Sequence, residues 1–501
     1  MMLFPVIKYY IKRKEIGEFM DINELVRIHD RNQFEIKLGY LIDHSKRKTE
    51  YGINLYFFLP RNLGINKYNY SNDQFFDDLY SYNRLITPKS DLPNLTSRAD
   101  RLLHFIQEKQ DNIKEHTDYI NYELKIIICS FRAYLRDFSK AVKKKPMETS
   151  DLLRLISEIE SFRGTIKKFQ KFVVLTDEQK LRDLFFFSDE YSSLVVTTYL
   201  FKIYKYVKGN SDKSEYVQKA IKAEVEYRKQ HGMTYASEDE AGNEELLYRY
   251  SVFKKYFYNI LFLFQKRRED AVEFRHFLYA LAAGIAMIFA TTIAFVSQKK
   301  YGNYTLSFFV ALVISYMFKD RIKDFFKQVF ESKLVFKRVY DYRNKIYDPE
   351  RFDLFGFYKE RVRFIKTPQV LEDIVSKRLQ GSKGSLSTWY IGEEVLKYEK
   401  KIKLNNRKIL NSFSDRIEGL NDIIRFNVSN FTKKMDDPDT SLYMLKNGVK
   451  KVKASKVYHV NLVIEFISND ERHIYKIRLI LTKDGIKRIE IPEHNTVLIN
   501  T

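Results

Sequence analysis

The sequence predicts an α+β integral membrane protein, with soluble parts before and after a single two-helix transmembrane hairpin. Three observations point to this class: two adjacent uncharged apolar segments, helical periodicity upstream of them, and alternating apolar patterns towards both chain ends. In order, we expect an N-terminal β-hairpin, a helical bundle, the transmembrane hairpin, and C-terminal helices with a small antiparallel β-meander. The corresponding regions are 1–96, 97–243, 244–347 and 348–501, with spans at 277–296 and 301–318.

The N-terminal region is predicted to contain a β-hairpin. Phe34–Ile42 alternates apolar and polar side chains, and Tyr51–Leu59 follows a polar turn and ends before Pro60. Alternation with a period of two gives each strand one apolar face. The chain start does not predict a signal peptide, because Pro5 and Lys8 interrupt its short apolar stretch.

The next region is predicted to be a helical bundle. Apolar residues recur every three or four positions over Ala99–Val142, 149–173 and 177–207. Thr149 and Ser150 are both suitable N-cap residues for the second helix. The small and acidic residues of 232–243 predict an exposed loop after the bundle.

Two apolar segments predict the transmembrane hairpin. Phe277–Val296 has twenty residues without a charge, which matches the ~20 residues needed to cross a bilayer core. Tyr304–Phe318 is shorter and reaches spanning length only when Tyr301–Asn303 is included. We expect stalk helices over Glu244–Arg268 and Lys319–Tyr347 on either side. Two alternatives stay open: a buried helical hairpin in a soluble protein, and a single span with the second segment in the membrane interface.

Flanking charge predicts that both soluble parts and both termini are cytoplasmic. Four basic residues precede the hairpin and four follow it, whereas the connecting loop has only Lys299 and Lys300. Positive charge accumulates on the cytoplasmic side of membrane proteins, so in a bacterium the location would be the inner membrane. Neither span contains a charged residue or histidine, which disfavours transporters, proton relays and voltage sensors.

Small residues recur every four positions in both apolar segments and therefore lie on one face of each helix. They are Ala282, Ala286, Ala290 and Ala294 in the first segment, and Ser307, Ala311 and Ser315 in the second. Small side chains let helix backbones approach closely in a membrane. The two stripes either face each other within one hairpin or mediate assembly of several copies, and the sequence does not choose between these.

The C-terminal region is predicted to contain helices over Leu386–Asn411 and Phe413–Met435, followed by a β-meander. The three strands of the meander are Lys456–Ile467, His473–Thr482 and Ile486–Ile491. Asp484-Gly485, between the last two strands, is a strong signal for a two-residue hairpin turn.

Basic residues outnumber acidic ones by 87 to 65, a net charge of +22, and the excess is concentrated after the second apolar segment. The densest cluster comprises Lys446, Lys450, Lys451, Lys453 and Lys456. Together with Tyr443 and Tyr458, it predicts an anionic-lipid or nucleic-acid partner. A solvated basic face, or the lysine-rich composition of an AT-rich genome, explains the same residues without any partner.

No catalytic, cofactor-binding or metal-binding motif is found, so the sequence predicts no cofactor and does not favour an enzyme. The single cysteine, Cys129, lies in an apolar run and is expected to be a small buried side chain. The function that fits best is a membrane-anchored scaffold, sensor or regulatory protein. The alternatives are a membrane-tethered binder of nucleic acid or anionic lipid, and an oligomerising membrane-perturbing effector. The expected partners are therefore the lipid bilayer, anionic lipid, nucleic acid and a second copy of the chain.

Overall fold

The computed structural model of the chain describes residues 25–42, 45–145, 147–175, 178–302, 305–331, 339–349, 352–380, 392–413, 417–445, 448–468, 471–491 and 496–499. The chain start and Lys446, both considered above, lie outside these residues.

The described strands form two sheets and a separate two-stranded ribbon, and all their pairings are antiparallel. In chain order they are β1 (Val26–Ile28), β2 (Gln33–Leu41), β3 (Lys48–Pro60), β4 (Leu79–Leu85), β5 (Phe264–Glu269), β6 (Tyr342–Tyr347), β7 (Leu354–Ile365), β8 (Glu393–Asn405), β9 (Gly419–Asn427), β10 (Asp439–Leu445), β11 (Val449–Ser455), β12 (Tyr458–Ser468), β13 (Glu471–Thr482), β14 (Gly485–Ile491) and β15 (Thr496–Ile499). The nine-stranded sheet has the order β15-β14-β13-β12-β3-β8-β7-β6-β5, and the four-stranded sheet the order β1-β2-β9-β4. β10 and β11 pair only with each other among the described strands.

The described helices fall into a bundle, a separate pair and short connecting pieces. They are α1 (Asn72–Asp78), α2 (Leu92–Glu108), α3 (Thr117–Lys144), α4 (Thr149–Lys168), α5 (Lys171–Leu175), α6 (Gln179–Val207), α7 (Ser211–Gln230), α8 (Glu240–Tyr258), α9 (Val272–Tyr301), α10 (Leu306–Phe330), α11 (Glu372–Leu379), α12 (Asn406–Phe413) and α13 (Ser429–Thr432). Helices α2 to α8 pack together as the bundle, whereas α9 and α10 pack along each other.

Strands from the two ends of the chain share both sheets. β3, from the N-terminal region, lies between β8 and β12, and β9 lies between β2 and β4. One continuous apolar core extends from Leu25 through the helical bundle to Ile491. The segments before and after α9 and α10 therefore form one folded body.

The N-terminal strands are present, but the predicted β-hairpin between them is wrong. β2 pairs with β1 and β9 in one sheet, while β3 pairs with β8 and β12 in the other. Leu55, Tyr56, Phe57, Phe58 and Leu59 are all buried, so both faces of β3 are covered, as expected for a central strand. Two strands that belong to different sheets cannot pair as a hairpin.

The bundle agrees with the sequence prediction except in detail. The long periodic segment is two helices, α2 and α3, separated by a short 3₁₀ segment at Gln110–His116. Helix α4 begins at Thr149, and its N-cap residue is Glu148. The two predicted caps, Thr149 and Ser150, are instead the first two residues of the helix. Helix α7, which the sequence did not predict, starts where the Asn210 side chain accepts a hydrogen bond from the backbone N–H of Lys213.

The predicted stalk helices are interrupted by strands. The first ends at Tyr258 and is followed by β5, while α10 ends at Phe330 and the chain re-enters the body as β6. β5 and β6 pair over Phe264 to Glu269 at the edge of the nine-stranded sheet. This pairing attaches both segments to the nine-stranded sheet, so neither continues as a helix from the helical pair to the body.

The two long predicted C-terminal helices are also wrong, because β8 and β9 lie within those segments and only the short helices α12 and α13 follow them. Two charged side chains that face each other between the sheets disguise the period-two pattern: Lys400 and Asp422 are both fully buried and paired, Nζ to Oδ1 2.9 Å. The meander is present as β12, β13 and β14, with Gly485 at φ 122° in the last turn. It forms part of the nine-stranded sheet instead of a separate small sheet.

Candidate functional site

The helices α9 and α10 carry a large exposed apolar surface. Large apolar side chains on them that are exposed include Phe277, Leu281, Met287, Ile288, Phe295, Val296, Leu306, Phe309, Val313, Ile314, Met317 and Phe318. No other described helix or strand packs on this pair by more than isolated contacts. Soluble proteins rarely expose contiguous apolar patches of this kind, so such a surface indicates a membrane or a protein partner.

One described helix, α9, is long and apolar enough to cross a membrane. At 1.5 Å per residue, its twenty uncharged residues span about 30 Å, the thickness of a typical hydrocarbon core. Helix α10 does not meet the same criterion, because Lys319, Asp320, Arg321 and Lys323 follow its apolar part closely. Most of α9 is exposed, which argues against the alternative of a helix in a soluble core.

The small-residue stripe of α9 faces α10. Ala282 and Ala286 are buried, and the Ser315 hydroxyl donates to the Ala290 carbonyl at 3.2 Å. Of the remaining stripe positions, Ala294 and Ala311 are half-buried and Ser307 is exposed. Most of the two stripes therefore lie within the hairpin contact, leaving bulky side chains on its outer surface.

The two helices run side by side, but their uncharged parts are offset along the pair. Ser315 lies beside Ala290, and Lys327 lies over the ring of Tyr279, 5.4 Å from its centre. In this register the charged residues 319–323 lie alongside residues 282–286 of α9. Only the half of the pair nearest the connecting loop is therefore uncharged on both helices.

The strands that precede and follow the helical pair, β5 and β6, are neighbours in the nine-stranded sheet. β5 leads into α9 through Ala271, whose φ of 54° lies in the left-handed region that non-glycine residues seldom adopt. Next to it, the Asp270 carboxylate accepts from Lys359 Nζ at 2.9 Å, and its backbone N–H donates to the Asp341 carbonyl. The Asp341 carboxylate accepts from the backbone N–H of Val362, which ties the return segment to β7.

Four of the five predicted basic-cluster residues are described, and three of them lie on an exposed ribbon. Lys450, Lys451 and Lys453 are on β11 and exposed. Lys456 follows β11 and pairs with Asp436. Tyr443 is opposite Lys451 in the ribbon. Tyr458, by contrast, is buried with its hydroxyl directed at Asp436.

A buried ionic cluster in the helical bundle had no counterpart in the sequence prediction. Arg163 on α4 donates to Asp189 Oδ1 at 2.7 Å and to Glu224 Oε1 at 2.7 Å, joining α4, α6 and α7. Burial raises the pKa of Glu224, but Arg163 outweighs burial and holds that pKa below its usual value. The sequence feature that could have indicated this cluster is the polar run Ser188–Ser193 within an apolar helix. Charged residues at buried positions are normally paired, so such a run predicts a partner on a neighbouring helix.

A cavity of about 310 Å³ adjoins this cluster. It is lined by Lys167, Gln170, Phe186, Asp189, Tyr227, His231 and Met233. The Tyr227 hydroxyl donates to Asp189 Oδ2 at 2.6 Å, and Lys167 Nζ lies 3.6 Å from the centre of the Tyr227 ring. The polar groups on its floor are thus bonded to one another, which is typical of a structural polar core.

A second buried cluster links the two sheets. Lys400 donates to Ser81 Oγ at 2.6 Å as well as to Asp422. Glu360 accepts from Asn344 at 2.7 Å and from Tyr398 at 2.5 Å, and burial raises the pKa of its carboxyl. The Lys400 bonds join β8 of the nine-stranded sheet to β4 and β9 of the four-stranded sheet, whereas the Glu360 bonds join three neighbouring strands of the nine-stranded sheet.

Across the described ranges, no group of three or more His, Cys, Asp or Glu side chains is arranged to hold a metal ion. Comparison of the chain with known proteins finds no matching family model, no similar curated protein and no similar solved structure.

Proposed function

We propose that this protein is a membrane-anchored scaffold or regulatory protein, whose single α+β body is held at the cytoplasmic face by a two-helix hairpin. The observation that carries the proposal is the position of α9: it is apolar and exposed, and both ends of the α9–α10 pair connect to the paired strands β5 and β6. A bilayer is the environment that accepts such a helix.

The pairing of β5 with β6 supports an even number of crossings. Phe264 lies opposite Tyr347 and Glu269 opposite Tyr342, so the chain leaves and re-enters the body at adjacent strands. A chain that crossed the membrane once between these strands would have to separate them. This argues against the single-span alternative and favours a return through α10.

The apolar part of α10 is long enough for a short second span. The apolar part of α10, Leu306–Phe318, has a length of about 20 Å at 1.5 Å per residue, less than a typical hydrocarbon core. Long basic side chains extend to the headgroups from such positions, and the bilayer thins locally at modest cost. Insertion into one leaflet would instead place Lys299 and Lys300 near the bilayer centre, which is costly.

The charge flanking the hairpin favours a cytoplasmic body. Lys266, Arg267, Arg268 and Arg275 precede the apolar part of α9, while Lys299 and Lys300 are the basic residues of the connection. By the positive-inside tendency, the body lies on the cytoplasmic side. Assembly of several copies through the small-residue stripes is less favoured, because Ala282, Ala286 and Ser315 are buried within the hairpin.

The proposal is tested by alkaline carbonate extraction and cysteine accessibility of the full chain. Gln298→Cys near the connection and Tyr248→Cys on the exposed surface of the body are each made in a Cys129→Ala background. We expect a carbonate-resistant protein in which an impermeant maleimide labels position 298 from outside intact cells, and position 248 only after permeabilisation. Release by carbonate, or labelling of position 248 from outside, would contradict the proposal.

A further inference from the structure

The ribbon of β10 and β11 is an isolated element with unusual exposure. Leu445 is 84% exposed and Val449 is 76% exposed, and they lie opposite each other at the tip of the ribbon. Met444 and Leu442, on the same strand as Leu445, are also exposed. An isolated two-stranded ribbon is only marginally stable in water, so one with an apolar tip indicates a partner.

Three exposed lysines lie next to the apolar tip on β11: Lys450, Lys451 and Lys453, which we call the basic collar. Register pairs Met444 with Lys450, Tyr443 with Lys451, and Ser441 with Lys453, so the lysines follow the tip along the second strand. Between Asp439 and Ser455 the sequence has four lysines and one carboxylate, and that carboxylate is 4.0 Å from Lys453. The surface thus joins aliphatic side chains to positive charge within a few residues.

We propose that this ribbon is a second membrane contact, whose tip enters the headgroup region of a bilayer containing anionic lipid. Aliphatic side chains at Leu445 and Val449 leave water for the acyl boundary, while Lys450, Lys451 and Lys453 meet lipid phosphates. This inference rests on the proposed anchoring, because the hairpin holds the body beside the bilayer and raises the local concentration of lipid.

The same chemistry argues against the other partners. A nucleic acid would neutralise the lysines but would leave the aliphatic tip in water, and it would normally be met by aromatic stacking surfaces. The tip residues Met444, Leu445 and Val449 have no aromatic ring, and between Asp439 and Ser455 Tyr443 is the single aromatic residue, too few for a row of stacked bases. A second copy of the ribbon would bring its lysines against those of the first, and like charges oppose such contact.

The position of the ribbon agrees with a contact near the anchor. β5 runs in the same direction as β3, and α9 follows its last residue. β12 runs opposite to β3, and the ribbon precedes its first residue. The helical pair and the ribbon therefore leave the nine-stranded sheet from the same end of its strands. Strand twist rotates their directions relative to each other.

The test uses the full chain reconstituted in liposomes, with an environment-sensitive fluorophore on Leu445→Cys in a Cys129→Ala background. The control label is Glu471→Cys. This exposed position is the first residue of β13 and pairs with Ser468, at the end of β12 away from the ribbon. In liposomes of phosphatidylcholine with phosphatidylglycerol, we expect a blue shift at position 445 and quenching by lipids that carry a nitroxide on the acyl chain. Position 471 should show neither effect, and phosphatidylcholine alone should weaken both at position 445.

Charge reversal separates the basic collar from the tip. Lys450→Glu, Lys451→Glu and Lys453→Glu together should abolish the blue shift, since each lysine contributes about a factor of five to attraction by anionic lipid. Lys219→Glu, Lys222→Glu and Lys229→Glu on α7 make the same charge change at exposed positions and should leave it unaltered.

Carbonate resistance is measured on the same samples. A carbonate-resistant protein whose label at position 445 stays in water with anionic lipid would overturn the lipid contact and leave the anchoring intact. Extraction by carbonate would overturn the anchoring together with the inference that rests on it. A response at position 445 to added RNA but not to anionic lipid would identify a nucleic-acid surface and overturn the inference.

Discussion

At the scale of single residues, the interior of this protein contains several charged side chains. Arg163, Lys400, Glu35 and Glu360 are all nearly or fully buried, and each has partners of opposite charge or hydrogen-bonding side chains. A buried charge that loses its partner is costly, whereas a buried pair contributes little net stability. These residues are therefore where single substitutions should have large effects.

Cys129 should be unreactive in the folded protein. It is fully buried, its Sγ lies 3.3 Å from the Phe257 carbonyl oxygen, and burial raises the pKa of the thiol to about 12. The thiolate is the reactive form, so a thiol reagent should label the unfolded chain and not the native one. Rapid labelling of the native protein would show that α3 and α8 separate easily.

Replacing Arg163 should destabilise the helical bundle. Arg163→Leu leaves Asp189 and Glu224 as buried carboxylates without their cation, and we expect a loss of about 3–5 kcal/mol in the free energy of unfolding. The matched control on the same helix is Arg154→Leu, which removes an exposed pair with Glu158 and should have a much smaller effect, because solvent screens exposed pairs. Urea unfolding in detergent measures both, and equal effects would contradict the structural role.

Glu35 should make folding stability depend on pH in the acid range. Burial raises the pKa of this carboxyl, but hydrogen bonds from Arg425 and Arg27 outweigh burial and hold it below 4.5. A carboxyl with a lowered folded-state pKa contributes stability above its unfolded pKa, and this contribution is lost as the pH falls through the folded value. The difference in unfolding free energy between the wild type and Glu35→Gln should therefore shrink below about pH 4.5, and a constant difference would refute this assignment.

At the scale of elements, the helical pair packs tightly on one side and is open on the other. Ala282 and Ala286 lie against α10, whereas Ala283, on the same helix, is exposed. Small residues allow this close approach, and the bulky outer surface is suited to acyl chains. The sequence stripe had two interpretations, and the contacts favour the one within a single hairpin.

The packing predicts a position-dependent effect of added volume. Ala286→Leu should force α9 away from α10 and cost about 1–3 kcal/mol, because inserting methylenes into a packed contact causes strain. Ala283→Leu adds the same volume on the exposed face and should be nearly neutral. Thermal unfolding followed by circular dichroism in detergent measures both, while a change of oligomeric state with unaltered stability would indicate assembly through the stripe.

At the scale of the whole molecule, α9 and α10 form an insertion in one continuous body. Replacing residues 271–340 by Asn-Gly should join β5 to β6 by a tight turn, since Asp270 and Asp341 already face each other across the gap. We expect a folded protein that needs no detergent and is no longer carbonate-resistant. Recovery of this variant only as aggregate would show that the pair contributes to the core.

The same connectivity predicts that the C-terminal region does not fold alone. A fragment of residues 348–501 contains β8 and β12 but lacks β3, which lies between them. Both strands would then expose unpaired edges and the apolar side chains that β3 covers, and such edges promote aggregation. Co-expression with residues 1–347 should restore a folded complex that detergent extracts from membranes. A folded isolated fragment would contradict the observed strand order.

Local patterns along the chain determined much of this structure. The apolar α9, the main helices of the bundle, the strand character of Phe34–Ile42 and the terminal meander all follow from periodicity and from breakers such as Pro60 and Gly485. These signals depend on residues a few positions apart, and one sequence contains them completely. The basic collar of β11 was visible in the same way, although its apolar tip was not recognised.

Only the tertiary structure decided which strands pair and which side chains meet. β2 and β3 separate into different sheets, β8 and β9 are strands despite their lysines and asparagines, and the uncharged parts of the two apolar helices are offset. Each of these depends on partners far away in the sequence: Lys400 is tolerated inside a sheet because Asp422 and Ser81 face it from the other sheet. A local pattern reports the cost of burying a charge but not the partner that offsets it. For this reason the body, its buried clusters and the pairing of the strands on either side of the helical pair required the three-dimensional arrangement.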